Sequence, residues 1–297
     1  EKTRLRNGFE DYVLSFGNLF FYYFYLKLAR PKAIVLSNDH NSNIRVLLYV
    51  AKKINIKSIY IQHASVSQFF PPLEQFDLAL LDGQYAKDTY STIGPLSKEL
   101  YLVGINKLDL SKRNIIDKGS EIFSTGTPCL GIALNPLYSE DKLLKLILIL
   151  KKQNINIVIR IHPSQSSAAS EIFNNFKEFR FRLSDPSLES SADFITSVDC
   201  VIAGNSGILL ETAVLNKISI YYDLDSIPYD YYGFISSGIA IEMNVEQDNI
   251  VTLISEYKAK KSMNVKYYDY SFGSCLYGYS SSYCSNKILY FTNNTSK

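Results

Sequence analysis

The chain has 297 residues, a formal net charge of +2, and 46% hydrophobic against 20% charged residues. That length exceeds one typical domain, and the apolar content is enough for two buried cores, which excludes a disordered chain. The near-neutral balance, with no long basic block, excludes nucleic acid as a main partner.

No signal peptide or apolar run of about 18 residues is present, so a cytoplasmic location is expected. Residue 1 is Glu rather than Met, which suggests a piece of a longer protein. The four cysteines, Cys129, Cys200, Cys275 and Cys284, show no metal-ligand spacing and are expected to be reduced.

Residues 9–30 hold Phe16, Leu19 to Leu26 and Leu28, with Pro31 just beyond. This reads as a helix whose aromatic side is largely core, with a membrane-surface or partner-docking role as the alternative. Four apolar runs follow, at 33–36, 58–61, 78–81 and 99–103, each delivering polar residues at its carboxyl end. Between the first two, Ile44, Leu47, Leu48 and Ala51 keep one helix face. Open parallel sheets bind ligands outside the carboxyl ends of their strands, so these loops should share a rim. Four strands make a thin domain over residues 1–112, and its opening strand or strands are expected to be missing. The polar, irregular stretch 113–128 reads as a linker.

The second unit is expected over 129–264, with a strand at 131–134 and an apolar helix over 140–152 after the cap candidate Ser139. A strand at 155–161 ends in His162-Pro163-Ser164. Further elements are expected as a helix near 170–176, a strand at 179–183 and a helix near 189–197, and Asp193 and Asp199 lie close to this unit's sheet, with surface charge as their plain reading. Residues 198–215 then form an apolar strand, the turn Gly204-Asn205-Ser206-Gly207 and a helix carrying Glu211. Strands at 218–222 and 239–243 and a helix over 245–260 complete the unit. Residues 265–297, rich in Tyr, Ser and Gly, show no clean period and read as a tail. Strands alternating with helices throughout give an α/β class with two Rossmann-like domains.

Small residues in the 204–207 turn let a backbone approach a ligand, and the first amides of the following helix lack intrahelical partners. The turn is therefore an anion site or, in the plainer reading, an ordinary strand-to-helix turn capped by Asn205 or Ser206. Arg160 and His162, two residues apart on a strand, present both side chains on one face, which suits a phosphate. Glu211 could accept hydrogen bonds from ribose hydroxyls or simply complement the helix dipole.

All three histidines, His40, His63 and His162, fall just after expected strands. Their wide spacing gives no metal motif, and no metal or cofactor is expected. Asp39, His40, His63 and Asp82 are candidates for a general base acting on a hydroxyl, with Gln62 beside them.

Two motifs, Arg160 to Ser164 around His162-Pro163 and Gly204 to Glu211, resemble those of bacterial glycosyltransferases with the two-Rossmann-domain GT-B architecture. The resemblance is to sialyltransferase-like, polysialyltransferase-like and Kdo-transferase-like enzymes of capsule and lipopolysaccharide synthesis, and to CDP-glycerol phosphotransferases. Gln62-His63-Ala64 looks like their Gln/Trp-His-Gly element, with Ala64 in place of Gly. Leu81-Asp82-Gly83 is similar to an acidic-acidic-Gly motif that carries the base, with Leu81 at its first acidic position.

The resemblance implies that His162 and Ser206 hold the phosphate of a nucleotide-sugar donor, CMP-linked by family association, and Arg160, Pro163, Gly204, Asn205, Gly207 and Glu211 around them complete the candidate donor site. Of the catalytic candidates Asp39, His63 and Asp82, the last two fall on these family-like elements, and Asp39 rests on its place after an expected strand. A glycan or lipid-linked glycan is the implied acceptor, and the domains are expected to face each other across a cleft at the inner membrane surface. Alternatives are a nucleotide-sugar 2-epimerase-like enzyme, a CDP-glycerol-type phosphotransferase, and a non-catalytic glycan- or nucleotide-binding domain.

Overall fold

The computed structural model describes residues 2–38, 41–118, 127–168, 174–225, 227, 229–244, 249–250, 252–253 and 264–294. The chain divides into two compact units, Glu1–Asn106 with Asp269–Lys297, and Lys107–Tyr268. The expected boundary lay at 112/113. The difference arises because α4 (Asp109–Lys118) is helical and falls with the second unit, where the sequence suggested an irregular linker. The rest of that expected linker, 119–126, lies outside the described residues.

In the first unit, α1 (Lys2–Ala29), β1 (Ala33–Leu36), α2 (Ser42–Lys53), β2 (Lys57–Ile61), β3 (Leu78–Leu81), α3 (Gln84–Ile93) and β4 (Glu99–Leu102) build a parallel sheet in the order β1-β2-β3-β4. Asn41 caps α2 by accepting from the Ile44 amide at 3.0 Å, and Lys52 and Lys53 stand in its last turn, where the helix dipole favours cations. All four residues of β3 are buried. Ala79 and Leu81 pack with Leu48, Tyr60 and Tyr90 on one face, and Leu78 and Leu80 pack with Ile59 and Val103 on the other. A strand covered on both faces needs this continuous apolar run.

The second face is closed by the last part of the chain. Ser280–Asn294 is a helix whose Cys284 and Phe291 join the cluster around Leu78 and Leu80. The sequence hid it because Ser, Tyr and Asn dilute a narrow buried stripe at 280, 284 and 291. The returning chain is pinned by Asp269, whose Oδ1 accepts from the amides of Ile105 at 3.0 Å and Ser271 at 3.1 Å. Gly104 has a φ of +86°, and a Cβ there would lie 2.6 Å from the Ser271 Cβ, so this junction admits only glycine.

The aromatic side of α1 is not largely core. Leu19, Tyr22, Tyr23 and Leu26 pack against α2, while Phe16, Phe20, Phe21, Phe24, Tyr25 and Leu28 are each more than half exposed. Over residues 16–28 the helix carries aromatic or aliphatic side chains on several sides, and packing on one neighbour can bury only the stripe that faces it. None of the described helices is long and apolar enough to cross a membrane.

The second unit contains β5 (Cys129–Ala133), α5 (Glu140–Lys152), β6 (Asn156–Arg160), β7 (Arg182–Ser184), α6 (Ser191–Thr196), β8 (Cys200–Ala203), α7 (Ile208–Val214), β9 (Ile218–Tyr221) and β10 (Ile241–Glu242). Its parallel sheet has the order β10-β9-β8-β5-β6-β7. The chain therefore runs outward from β5 to β7, returns, and runs outward the other way from β8, which is the Rossmann-type reversal.

Ser139 caps α5 through the Lys142 amide, and Leu143, Leu146, Ile147 and Leu150 seat the helix on Leu130, Ile132, Ile157 and Ile159. Asp199 is not a surface charge. It is 3% exposed and accepts from the Cys129 amide at 2.8 Å, tying β8 to β5 at their amino ends. Of the helices expected near 170–176 and 245–260, residues 170–173, 245–248, 251 and 254–260 lie outside the described residues.

Candidate functional site

Where a parallel sheet reverses its strand order, the loops leaving the two central strands diverge and leave a crevice. In the second unit a pocket of about 410 Å³ opens there, at the carboxyl ends of β5, β6 and β8. Its lining includes Arg160, His162, Pro163, Ser206, Gly207 and Glu211, together with Lys107. Residues up to 104 positions apart in the chain thus meet at one place.

Arg160 ends β6 and stands in register with Ala133 of β5 and Ser184 of β7. It is 6% exposed, donates to Ser184 Oγ at 2.8 Å, and holds its guanidinium carbon 5.5 Å from the centre of the Phe194 ring. Burial presses its pKa below the usual guanidinium value, and Glu189, Glu211, Asp185 and Asp193 oppose that shift. The group stays charged, held by the Ser184 hydrogen bond and the contact over the Phe194 ring.

His162 follows two residues later. Its Nδ1 accepts from the Ser164 amide at 3.1 Å and lies 2.8 Å from Ser164 Oγ. An amide can only donate, so Nδ1 carries the lone pair and the proton sits on Nε2. Burial lowers the pKa of the ring below 6.5, which keeps it neutral at pH 7. His162 and the buried Arg160 thus bring an imidazole N–H and a guanidinium to one pocket, donors of the kind that hydrogen-bond to anionic oxygens.

The turn after β8 is split in its orientation. Ser206 and Gly207 line the pocket, and Ser206 Oγ is 3.5 Å from the Ile208 amide, at the outer limit of a hydrogen bond, so it is not a firm helix cap. Asn205 faces the other way. Its amide donates to Asp225 Oδ2 at 2.9 Å, and its Oδ1 accepts from the Tyr231 amide at 2.9 Å. Gly204 is glycine because a Cβ there would overlap the Asp225 carboxylate. Neither Gly204 nor Asn205 is among the pocket-lining residues.

Glu211, on α7, is 9% exposed and accepts from Lys107 Nζ at 2.6 Å and from Ser191 Oγ at 2.8 Å. It answers these two partners, and any dipole effect comes second. Lys107 and Ser191 were not legible as site residues, because no local spacing connects either to Glu211.

At the first unit's rim, Gln62 is 7% exposed and acts as a brace. Its Nε2 donates to the Ala64 carbonyl at 2.9 Å, and its Oε1 accepts from the Asp82 amide at 2.9 Å, so it links the ends of β2 and β3. The Asp82 carbonyl in turn accepts from the Tyr270 amide at 2.8 Å. His63 is exposed beside this brace. Asp39 and His40 lie outside the described residues. Among the described residues no group of three or more His, Cys, Asp and Glu is placed to hold a metal ion.

No protein-family model matches the chain, and no curated protein is similar at the sequence level. Solved structures are similar in shape. The wall teichoic acid polymerase TagF soaked with CDPG aligns over 83% of this chain and 70% of its own, at 14% identity and a TM-score of 0.57. UDP-GlcNAc 2-epimerase from Neisseria meningitidis bound to UDP-GlcNAc aligns over 93% and 81%, at 13% identity and a TM-score of 0.61. MnaA from S. aureus with UDP aligns over 97% and 83%, at 17% identity and a TM-score of 0.57.

The fold is GT-B-like, with two Rossmann-like domains. Among the described residues the second unit is the one whose sheet order reverses, and Arg160, His162 and Ser206 line the pocket at that reversal.

Proposed function

We propose that the chain is a glycosyltransferase that binds a nucleotide-activated sugar in the second unit and moves the sugar to a growing capsule or lipopolysaccharide glycan. The observation that carries this reading is the pocket at the β5/β8 reversal, which Arg160, His162 and Ser206 line together. As the bond from the sugar carbon to the phosphate oxygen breaks, its electron pair stays on that oxygen. Arg160, His162 and Ser206 stabilise the departing charge. The acceptor hydroxyl forms the new bond to the sugar carbon and gives its proton to a base, for which Asp39, His63 and Asp82 are the candidates.

The charged side chains lining the pocket are Lys107, Arg160 and Glu211, which with a neutral His162 leave one net positive charge. That balance supports the singly charged phosphodiester of a CMP-sugar over the more highly charged diphosphate of a UDP-sugar. Thermal-shift titration against CMP, CDP, UDP and GDP tests site and base together. A largest stabilisation by CMP supports the donor, one by CDP favours a glycerol-phosphate donor, and no shift with any nucleotide overturns the reading. Asp39→Asn and His63→Ala variants that still bind nucleotide but lose transfer would set the enzyme apart from a binding domain.

A second reading, nucleotide-sugar 2-epimerisation, is supported by the epimerases among the structures of similar shape. Against it, the helix after the turn carries only Glu211, where such enzymes resemble one another in an adjacent acidic pair. Formation of an epimer from UDP-GlcNAc without an acceptor would establish it. The exposed aromatic side of α1, with exposed Lys27, Arg30, Lys52 and Lys53 nearby in the chain, supports peripheral contact with an anionic membrane. Co-sedimentation with anionic vesicles, lost in a Phe20→Ser, Phe24→Ser variant, checks it.

A further inference from the structure

Two buried carboxylates tie the central strands of the second unit together, one at each end. At the amino ends Asp199 takes the Cys129 amide at 2.8 Å. At the carboxyl ends Asp225, in the loop after β9 and 2% exposed, binds three loops at once. Its Oδ2 accepts from the Asn205 amide at 2.9 Å and from the Asn135 side chain, which follows β5. Its Oδ1 accepts from the Ile227 amide at 2.9 Å and faces Asn205 Nδ2 at 3.4 Å. These donors come from the ends of β5, β8 and β9, and Gly204 is bare so that the carboxylate can sit against it.

A buried carboxylate is costly unless amides surround it, and here amide donors of both kinds do. The groups it fixes adjoin the pocket. Asn205 precedes Ser206 and Gly207, and Asn135 follows Leu134, which also lines the volume. Asp225 itself is not among the lining residues.

We infer that Asp225 is a positioning residue: it straps the Gly204 to Gly207 turn so that Ser206 and Gly207 face the pocket, and it sets nucleotide affinity without touching the nucleotide. The inference rests on the donor-site reading for its ligand, but the strap can be measured without one. In Asp225→Asn, one acceptor oxygen becomes an NH2 group. Whichever way the amide is turned, a donor then confronts either the Asn205 amide and Asn135 or the Ile227 amide.

Asp199→Asn is the matched control, since it makes the same chemical change on the same two strands at the end away from the pocket. Both variants are expected to lower the melting temperature. Only Asp225→Asn is expected to speed amide hydrogen exchange across residues 205–209 and to weaken CMP or CDP binding, by about tenfold for the loss of charge-assisted hydrogen bonds.

Unchanged exchange and affinity in Asp225→Asn, or an equal loss in Asp199→Asn, overturns the inference. If the unsubstituted protein binds no nucleotide, the donor reading falls, and exchange at 205–209 alone decides the strap: faster supports it, unchanged overturns it. Should Asp225→Asn fail to fold, Asn135→Ala removes one donor to the carboxylate from outside the turn. Faster exchange at 205–209 then supports the strap, and unchanged exchange overturns it.

Discussion

The two units put similar residue types at the carboxyl ends of their strands and use them differently. In the second unit, neighbouring strands β5 and β8 send their chains in opposite directions, and Arg160, His162, Ser206 and Glu211 surround the space between. In the first, the order β1-β2-β3-β4 does not reverse, and Gln62 spans the gap between β2 and β3 with two hydrogen bonds. Polar residues after strands are therefore not equivalent. Where the sheet order reverses they can face a ligand, and where it does not they can be consumed in bracing one another.

The comparison is tested most severely at Arg160. Arg160→Ala removes the buried cation and its contact over the Phe194 ring, and is expected to weaken nucleotide binding by about 2–3 kcal/mol, read by calorimetric titration. Affinity within twofold of the parent would break the claim that the reversal holds the anion. Next come His162→Ala and Ser206→Ala, each expected to cost roughly 1–3 kcal/mol of nucleotide affinity. If neither changes it, the donor site lies elsewhere.

Gln62→Ala sharpens the other side. It strips the Asp82 amide of a buried acceptor, and a loss of about 1–2 kcal/mol in denaturant stability is expected with nucleotide affinity unaltered. An affinity loss as large as that of His162→Ala would mean the first rim also holds the donor.

The smallest effect concerns pH. His162 has its pKa lowered in the folded protein by burial, so below 6.5 the unfolded chain binds a proton that the folded one resists. Stability from this group is therefore full above that value and declines as pH falls towards the folded pKa. Melting curves between pH 5 and 7 should fall less steeply in His162→Ala than in the parent, and identical slopes would show that the imidazole is not held neutral by its surroundings.

Much of this was legible because short-range physics writes it locally. The apolar runs at 33–36 and 78–81 and the capped helices after Asn41 and Ser139 follow from period and capping, and they appear as β1, β3, α2 and α5. Arg160 and His162 both line the pocket, but not as two residues on one strand face: β6 ends at Arg160, and His162 stands in the loop beyond it. What misled were features in which the partner decides. The aromatic helix gave no sign of which side would meet α2, and the Ser- and Tyr-rich end concealed a helix stripe that only the sheet's apolar face reveals.

The sequence by itself determined an alternating α/β chain and singled out Arg160, His162 and Ser206, which line one pocket, since periodicity and motif spacing are properties of neighbours in the chain. Only the tertiary structure decided that Lys107 and Ser191 would grip Glu211, that Asn205 would turn from the pocket to Asp225, and that Asp199 would be buried. Those choices depend on which strands lie side by side. Strand order is fixed by packing whole layers together, a global balance that leaves no mark at any single position.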